Sequence, residues 1–276
     1  MDSASVVRAS AFVALVLSLY EWIGCLSFET RFIWGKLVNI RLRLVYLVSR
    51  YLGLIALGAN TFVVSYIQFQ ASQDECRRWL AFQLVTSTCL LFSLDYHLVC
   101  RLYALSKMNS CLYWFLNFAV LVDAIVTLSC GFVAIYEIPF SEPGCLPTES
   151  SIGVVALTSV QLATQVLIGI CTSYKSIKLY FQNRYMVPIA FLVVRDGFLL
   201  FALIAALLSV MLASSLSFGV AQELCYVIYP VYVSVLSISN CRIAMNVAQM
   251  RTPSSPSITL RESDTDVVLT TIISEA

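Results

Sequence analysis

Residues 187–213 read VPIAFLVVRDGFLLFALIAALLSVMLA, 27 residues in which Arg195 and Asp196 are the only ionisable side chains. About 20 residues at a ~1.5 Å rise cover a ~30 Å hydrocarbon core, so this run predicts a helix that crosses a bilayer. A charge at the centre of such a helix costs at least ~2.5–3.5 kcal/mol on insertion scales and therefore faces protein or water, not lipid. Arg195 and Asp196 thus imply further helices around them.

Six more apolar runs of helical length supply those neighbours, at 9–28, 44–67, 80–105, 112–136, 152–174 and 220–240. The expected fold class is all-α, an integral membrane seven-transmembrane helix bundle over residues 1–250. A transmembrane β-barrel would show alternating segments of ~10 residues, and none is visible. Composition agrees: 59% of residues are hydrophobic and 12% charged, against about 25% charged in soluble domains. Net charge is +1, which leaves no electrostatic footprint for nucleic acid. Pro230 inside the last run predicts a kink, tolerated where neighbours re-satisfy the freed carbonyl.

Basic residues orient the bundle. Arg31, Lys36, Arg41, Arg43, Arg101, Lys107, Lys175, Lys178, Arg184, Arg242, Arg251 and Arg261 fall on one side, and only Arg8, Arg77 and Arg78 on the other. The expected topology is N-terminus outside and C-terminus cytosolic, in a multi-pass protein of the plasma membrane. The connection between the fourth and fifth runs agrees, with Glu137, Glu142 and Glu149 and no basic residue. Phe28, Phe32, Trp34 and Trp79 sit where interfacial aromatics belong. The first run is longer than a signal-peptide core and reads as a retained helix. The segment 251–276 is Ser/Thr-rich with Pro253 and Pro256. It reads as a disordered cytosolic tail, either a plain terminus or a phosphorylated regulatory segment.

Inside the runs stand Glu21, Arg50, Asp95, His97, Asp123, Arg195 and Asp196. All but Asp123 lie roughly 9–14 Å from the cytosolic ends of their helices by rise per residue. They form a candidate intramembrane polar cluster, either a switch or ion path or a set of ion pairs holding the bundle. Adjacent residues point ~100° apart, so Arg195 and Asp196 look toward different neighbours. Arg50 and Arg195 are each expected to contact a carboxylate of another helix, drawn from Glu21, Asp95 and Asp196.

No enzyme and no cofactor is expected. Lys36, Lys107, Lys175 and Lys178 all lie at loops, which excludes an intramembrane Schiff base. The single histidine, His97, cannot build a His-rich zinc site. Ser93 and His97 share a helix face at i, i+4, but Asp95 between them points away, so no triad forms. Cys76, Cys145 and Cys225 fall on the outer side, where oxidising conditions favour a bridge. Of three pairings, Cys76–Cys145 is preferred, because packing suffices to explain Cys225 near the start of the last helix. Cys100, Cys111, Cys171 and Cys241 lie at the inner boundary, and Cys25, Cys89 and Cys130 read as packing residues.

The stretch YEWIGCLSFETRFIWG, Tyr20 to Gly35, followed by YLVSRYLGLI, Tyr46 to Ile55, resembles the signature of a large fungal, chiefly basidiomycete, family of multi-pass membrane proteins named only for a domain of unknown function. Further matches to that family are Arg101 and Tyr103 in Arg101-Leu102-Tyr103-Ala104-Leu105, Gly197 in Arg195-Asp196-Gly197, and Arg242 with Asn246. The chain departs from the family in lacking a second aromatic after Leu105. The resemblance implies the membrane bundle and brings no activity with it. The topology, basic inner loops and Ser/Thr tail favour a receptor-like signalling or sensing role, with the bilayer and a cytosolic signalling partner at those loops as partners and no ligand named. The alternatives are a proton- or ion-coupled transporter or channel using the intramembrane carboxylates, and a structural membrane scaffold.

Overall fold

The computed structural model describes residues 3–30, 34, 40–67, 72–106, 110–138, 145, 152–182, 188–216 and 223–251, with side chains described at 5–27, 29–30, 34, 40, 43–65, 72–100, 111–138, 145, 152–174, 199–216 and 224–245. Every regular element among them is helical. In order they are α1 (Ser3–Phe28), α2 (Ile40–Leu47), a π-helical turn π1 (Val48–Leu52), α3 (Gly53–Phe62), a second π turn π2 (Val63–Ile67), α4 (Gln73–Ser106), α5 (Ser110–Glu137), α6 (Ile152–Gln182), α7 (Pro188–Leu216) and α8 (Glu223–Arg251). The elements α2, π1, α3 and π2 follow one another without a break and make one rod. α8 continues through Pro230.

The alternation of the rods can be read from what meets at one end. Val7 from the start of α1, Val64 from the end of the α2–π2 rod, Cys76 and Trp79 from the start of α4, and Ile138 just past α5 form one buried cluster with Cys145. Val154 at the start of α6 and Tyr226 at the start of α8 pack against it. Successive rods therefore run up and down. A larger core, including Leu57, Leu90, Leu94, Leu116, Ile168, Ile204 and Leu236, joins all the rods further along.

Six helical stretches among the described residues are long and apolar enough to cross a membrane: Ser5–Ser27, Arg43–Ser65, Cys111–Glu137, Ile152–Tyr174, Leu199–Leu216 and Leu224–Met245. Large apolar side chains line their outside, with Phe12 60%, Phe118 65% and Ile170 61% exposed. An apolar exterior of this extent is suited to lipid. Where the sequence predicts seven spans, α4 stands apart from the six. It opens with Asp74, Glu75, Arg77 and Arg78 and carries Asp95 and His97 further on. The reason is its position. α4 packs against α3, α5, α6 and α8 and buries Thr86, Ser87, Ser93, Asp95 and His97, while the large side chains it turns outward include Phe82, Val85 and Phe92.

The structure also moves helix boundaries. α4 begins at Gln73, not 80, because Ser72 and Glu75 cap it: the Ser72 N–H and hydroxyl both donate to Glu75 Oε2, at 2.9 and 3.1 Å. These bonds hold the exposed Glu75 carboxyl below its ordinary value. They are half of a capping box, which satisfies an otherwise orphan donor at a helix start. α6 and α8 run on to Gln182 and Arg251, past the apolar runs, since a helix that leaves hydrocarbon needs no apolar side chains to continue. The tail at 252–276 lies outside the described residues, as do the side chains of Arg101, Tyr103, Arg195, Asp196 and Asn246; Gly197 lies on α7.

Cys76 and Cys145 are joined by a disulfide across 69 residues of sequence. Cys225 is free and contacts the Ser214 hydroxyl at 2.8 Å. The bridge fastens the start of α4 to the segment between α5 and α6. By loop-closure entropy a crosslink of this span is worth ~4 kcal/mol. Reduction, or Cys76→Ser, should lower the melting temperature in detergent, and a non-reducing peptide map should show the two cysteine peptides linked. An unlinked map, or a melt indifferent to reduction, would remove the bridge from the account.

Candidate functional site

Buried polar side chains in this bundle sort into a charged lock, a seam of small polar residues and a layer of carboxylates. The lock is built on π1. A π turn carries one residue more than an α turn and is found often at functional sites; here it places Ser49 and Arg50 in the interior. Arg50 is 3% exposed. Its Nη1 lies 3.0 Å from Glu29 Oε2, a close ion pair not aligned as a linear hydrogen bond. Nη1 also donates to the Tyr46 hydroxyl, and Nη2 donates to the Trp22 carbonyl at 2.6 Å. The guanidinium stands over the Tyr46 ring, 5.4 Å from its centroid.

The partner differs from the expected one. Of the expected carboxylates Glu21, Asp95 and Asp196, the side chain of the last lies outside the described residues; among those described, the carboxylate paired with Arg50 is Glu29. The reason is local: helical geometry continues past Phe28, the end of α1, as a π turn through residues 29 and 30, and Glu29 in that continuation is buried. Glu21 instead accepts a 2.8 Å bond from Arg242 Nε of α8. That pair is half open, with the Arg242 side chain 63% exposed. Ser18, Glu21, Trp22, Cys25, Arg50, Leu54, Ser237, Ile238 and Cys241 line a cavity of about 20 Å³ between them, room for one water.

The seam joins the α2–π2 rod, α4 and α8. Ser49 and Ser93 hydroxyls meet at 2.9 Å, Ser237 donates to the Ser49 carbonyl at 3.0 Å, and Asn240 Nδ2 donates to the Leu90 carbonyl at 2.9 Å. Gly53 is needed here, because a Cβ at that position would overlap the Ser237 side chain. Ser18 and Ser234 tie α1 to α8 at 2.9 Å. Small side chains let membrane helices approach closely and hydrogen-bond across the gap.

The carboxylate layer lies between α4, α5, α6 and α8. Asp95 is 1% exposed, and its Oδ1 accepts a 2.6 Å bond from Gln165 Nε2 of α6. Asp123 Oδ1 accepts from Thr164 at 3.0 Å. Tyr232 of α8 lies within electrostatic range of both carboxylates. Among the described residues no Lys or Arg forms an ion pair with Asp95 or Asp123. His97 is buried one turn beyond Ser93 on α4. Among the described residues no hydrogen bond or ion pair links Glu21 or Arg50 to Asp95 or Asp123, and the side chains of Arg195 and Asp196 lie outside the described residues. Among the described residues no group of three or more His, Cys, Asp or Glu could hold a metal ion.

Breaking the lock should be costly. Arg50→Ala or Glu29→Ala leaves one buried charge unpaired, a loss of about 3–5 kcal/mol. Replacing both residues by leucine should recover much of it, read as detergent melting temperature. A double variant no more stable than the worse single would show that the pair is not what Arg50 depends on.

A family of unknown function, DUF6533, matches residues 9–55, a segment that holds Glu21, Glu29 and Arg50. No curated protein and no solved structure matches the chain.

Proposed function

We propose that the chain is a seven-span protein of the plasma membrane, N-terminus outside and C-terminus cytosolic, with a receptor-like sensing role and no enzymatic activity. The observation that carries this reading is α4. It is fastened by the Cys76–Cys145 bridge at its start, passes the interior carboxylates, and ends near Arg101 and the opposite face. One rigid element thereby connects the two ends of the bundle. A disulfide belongs on an oxidising side, and this is the side to which the basic-residue count assigns the outside. The outward apolar stripe Phe82, Val85 and Phe92 supports α4 as the seventh span. Basic residues near the other end, Arg43 and Arg242 among them, offer a surface to a cytosolic signalling partner. The step from architecture to signalling is an analogy of fold.

Transport coupled to protons or ions is the second reading, favoured by Asp95 and Asp123, two buried carboxylates without an ion-pair partner among the described residues. Two measurements decide. A tag after Ala276 should resist protease added to intact cells and be cleaved after permeabilisation; cleavage at the intact surface would overturn the orientation. Proteoliposomes should show no proton or Na⁺ flux above protein-free vesicles. Flux abolished by Asp95→Asn would replace the receptor-like reading with transport.

A further inference from the structure

We propose that Asp95 is a proton-binding site, in which the protonated carboxyl and the Gln165 amide close a two-hydrogen-bond ring between α4 and α6. The proposal stands whether the bundle signals or transports.

It rests on two orphan atoms. Gln165 Nε2 donates to Asp95 Oδ1 at 2.6 Å. The other oxygen of each partner, Asp95 Oδ2 and Gln165 Oε1, is buried without a hydrogen-bond partner. Both residues are almost fully enclosed, at 1% and 2% exposure. An amide oxygen only accepts, and so does an ionised carboxylate. Two unsatisfied acceptors on one joined pair are expensive in a low-dielectric interior. One proton on Oδ2 removes both faults, because the acid O–H can donate to Oε1 while Nε2–H donates to Oδ1. The proton comes from water and nothing is oxidised or reduced.

Charge points the same way. Among the described residues, the ionisable groups around the pair are Asp123 from α5 and Tyr232 from α8; the side chains of Arg195 and Asp196 on α7 lie outside the described residues. α6 contributes Gln165 itself. On α4, His97 is two residues on and so ~200° around the helix. Arg50, in the α2–π2 rod, is committed to Glu29. Two carboxylates ionised together here would be two anions without a counter-charge among these groups, which favours the neutral acid. A bound metal cation would need about six oxygen ligands, whereas a proton needs only the two orphans. The Tyr232 hydroxyl, also buried without a partner and within electrostatic range of Asp95, is a further polar group available to Asp95 once the proton leaves. Loss of the proton turns two acceptors toward each other and loosens α4 from α6.

Asp95→Asn separates the possibilities, since an Asn amide can make both bonds of the ring without a proton. The full chain in nanodiscs is melted across pH, in sodium and in choline chloride, and its infrared spectrum is recorded. A folded-state carboxyl that favours the neutral form contributes stability at low pH that is lost as pH rises above the ordinary carboxylate range. Wild type should lose melting temperature over that rise, equally in both salts. Asp95→Asn should lack that component of the slope and melt at or above wild type at the alkaline end. The infrared spectrum at neutral pH should contain a protonated-carboxyl C=O band that shifts in D₂O, persists in Asp123→Asn and is missing in Asp95→Asn. A stability that needs sodium and loses that need in Asp95→Asn would make this a cation site and overturn the proposal. A band unaffected by Asp95→Asn, or an Asn variant that fails to fold, would also overturn it.

Discussion

A polar side chain inside hydrocarbon has no water to turn to, so the chain itself must supply its partner. The arrangement of these rods follows from that constraint. Arg50 reaches Glu29, Tyr46 and a backbone carbonyl; Asp95 reaches Gln165 and Asp123 reaches Thr164. Each of these contacts crosses from one rod to another, with Tyr46 as the local exception. Satisfying polar groups and assembling the bundle are therefore one process, and a helix too polar for lipid can sit inside because its neighbours complete it.

Close approach makes these contacts available. Ser18 against Ser234 and Gly53 against Ser237 bring α8 within reach of α1 and of the α2–π2 rod. The π1 turn then adds the extra residue that sets Ser49 and Arg50 facing inward. At the other end the apolar cluster around Trp79, whose ring lies 6.5 Å from that of Tyr226, encloses the disulfide. One end is held covalently and by apolar packing, the other by an ion pair that is sensitive to the loss of either partner. The ion-paired end is the one where a change of partner could alter the packing of rods.

Hydropathy alone made the apolar rods visible, because lipid-facing side chains have to be apolar. Hydropathy also blurred α4, whose average is lowered by the inward Thr86, Ser87, Ser93 and Asp95 although its outward stripe is apolar. Its true start was legible in Ser72 and Glu75, a capping signature. Glu29 was missed because the apolar run ends at Phe28 and the helix does not. Gln165 was missed for a different reason: it lies in the one run without a charge, and a search among charged residues does not find an amide partner. Which rods face each other is a matter of tertiary packing that no local pattern in the chain encodes.

The central claim is that α4 is a span, polar inward and apolar outward. Labelling in nanodiscs tests it without mutation, using a carbene precursor dissolved in the bilayer and a water-soluble radical in parallel, both mapped by mass spectrometry. The account predicts that the lipid probe marks Phe82, Val85 and Phe92 together with Phe118 of α5, that it spares Leu94, Asp95, Leu98 and Val99, and that the aqueous probe marks none of them. Aqueous labelling of Phe82, Val85 and Phe92, or lipid labelling of Leu94 and Leu98 as strong as that of Phe118, would contradict it.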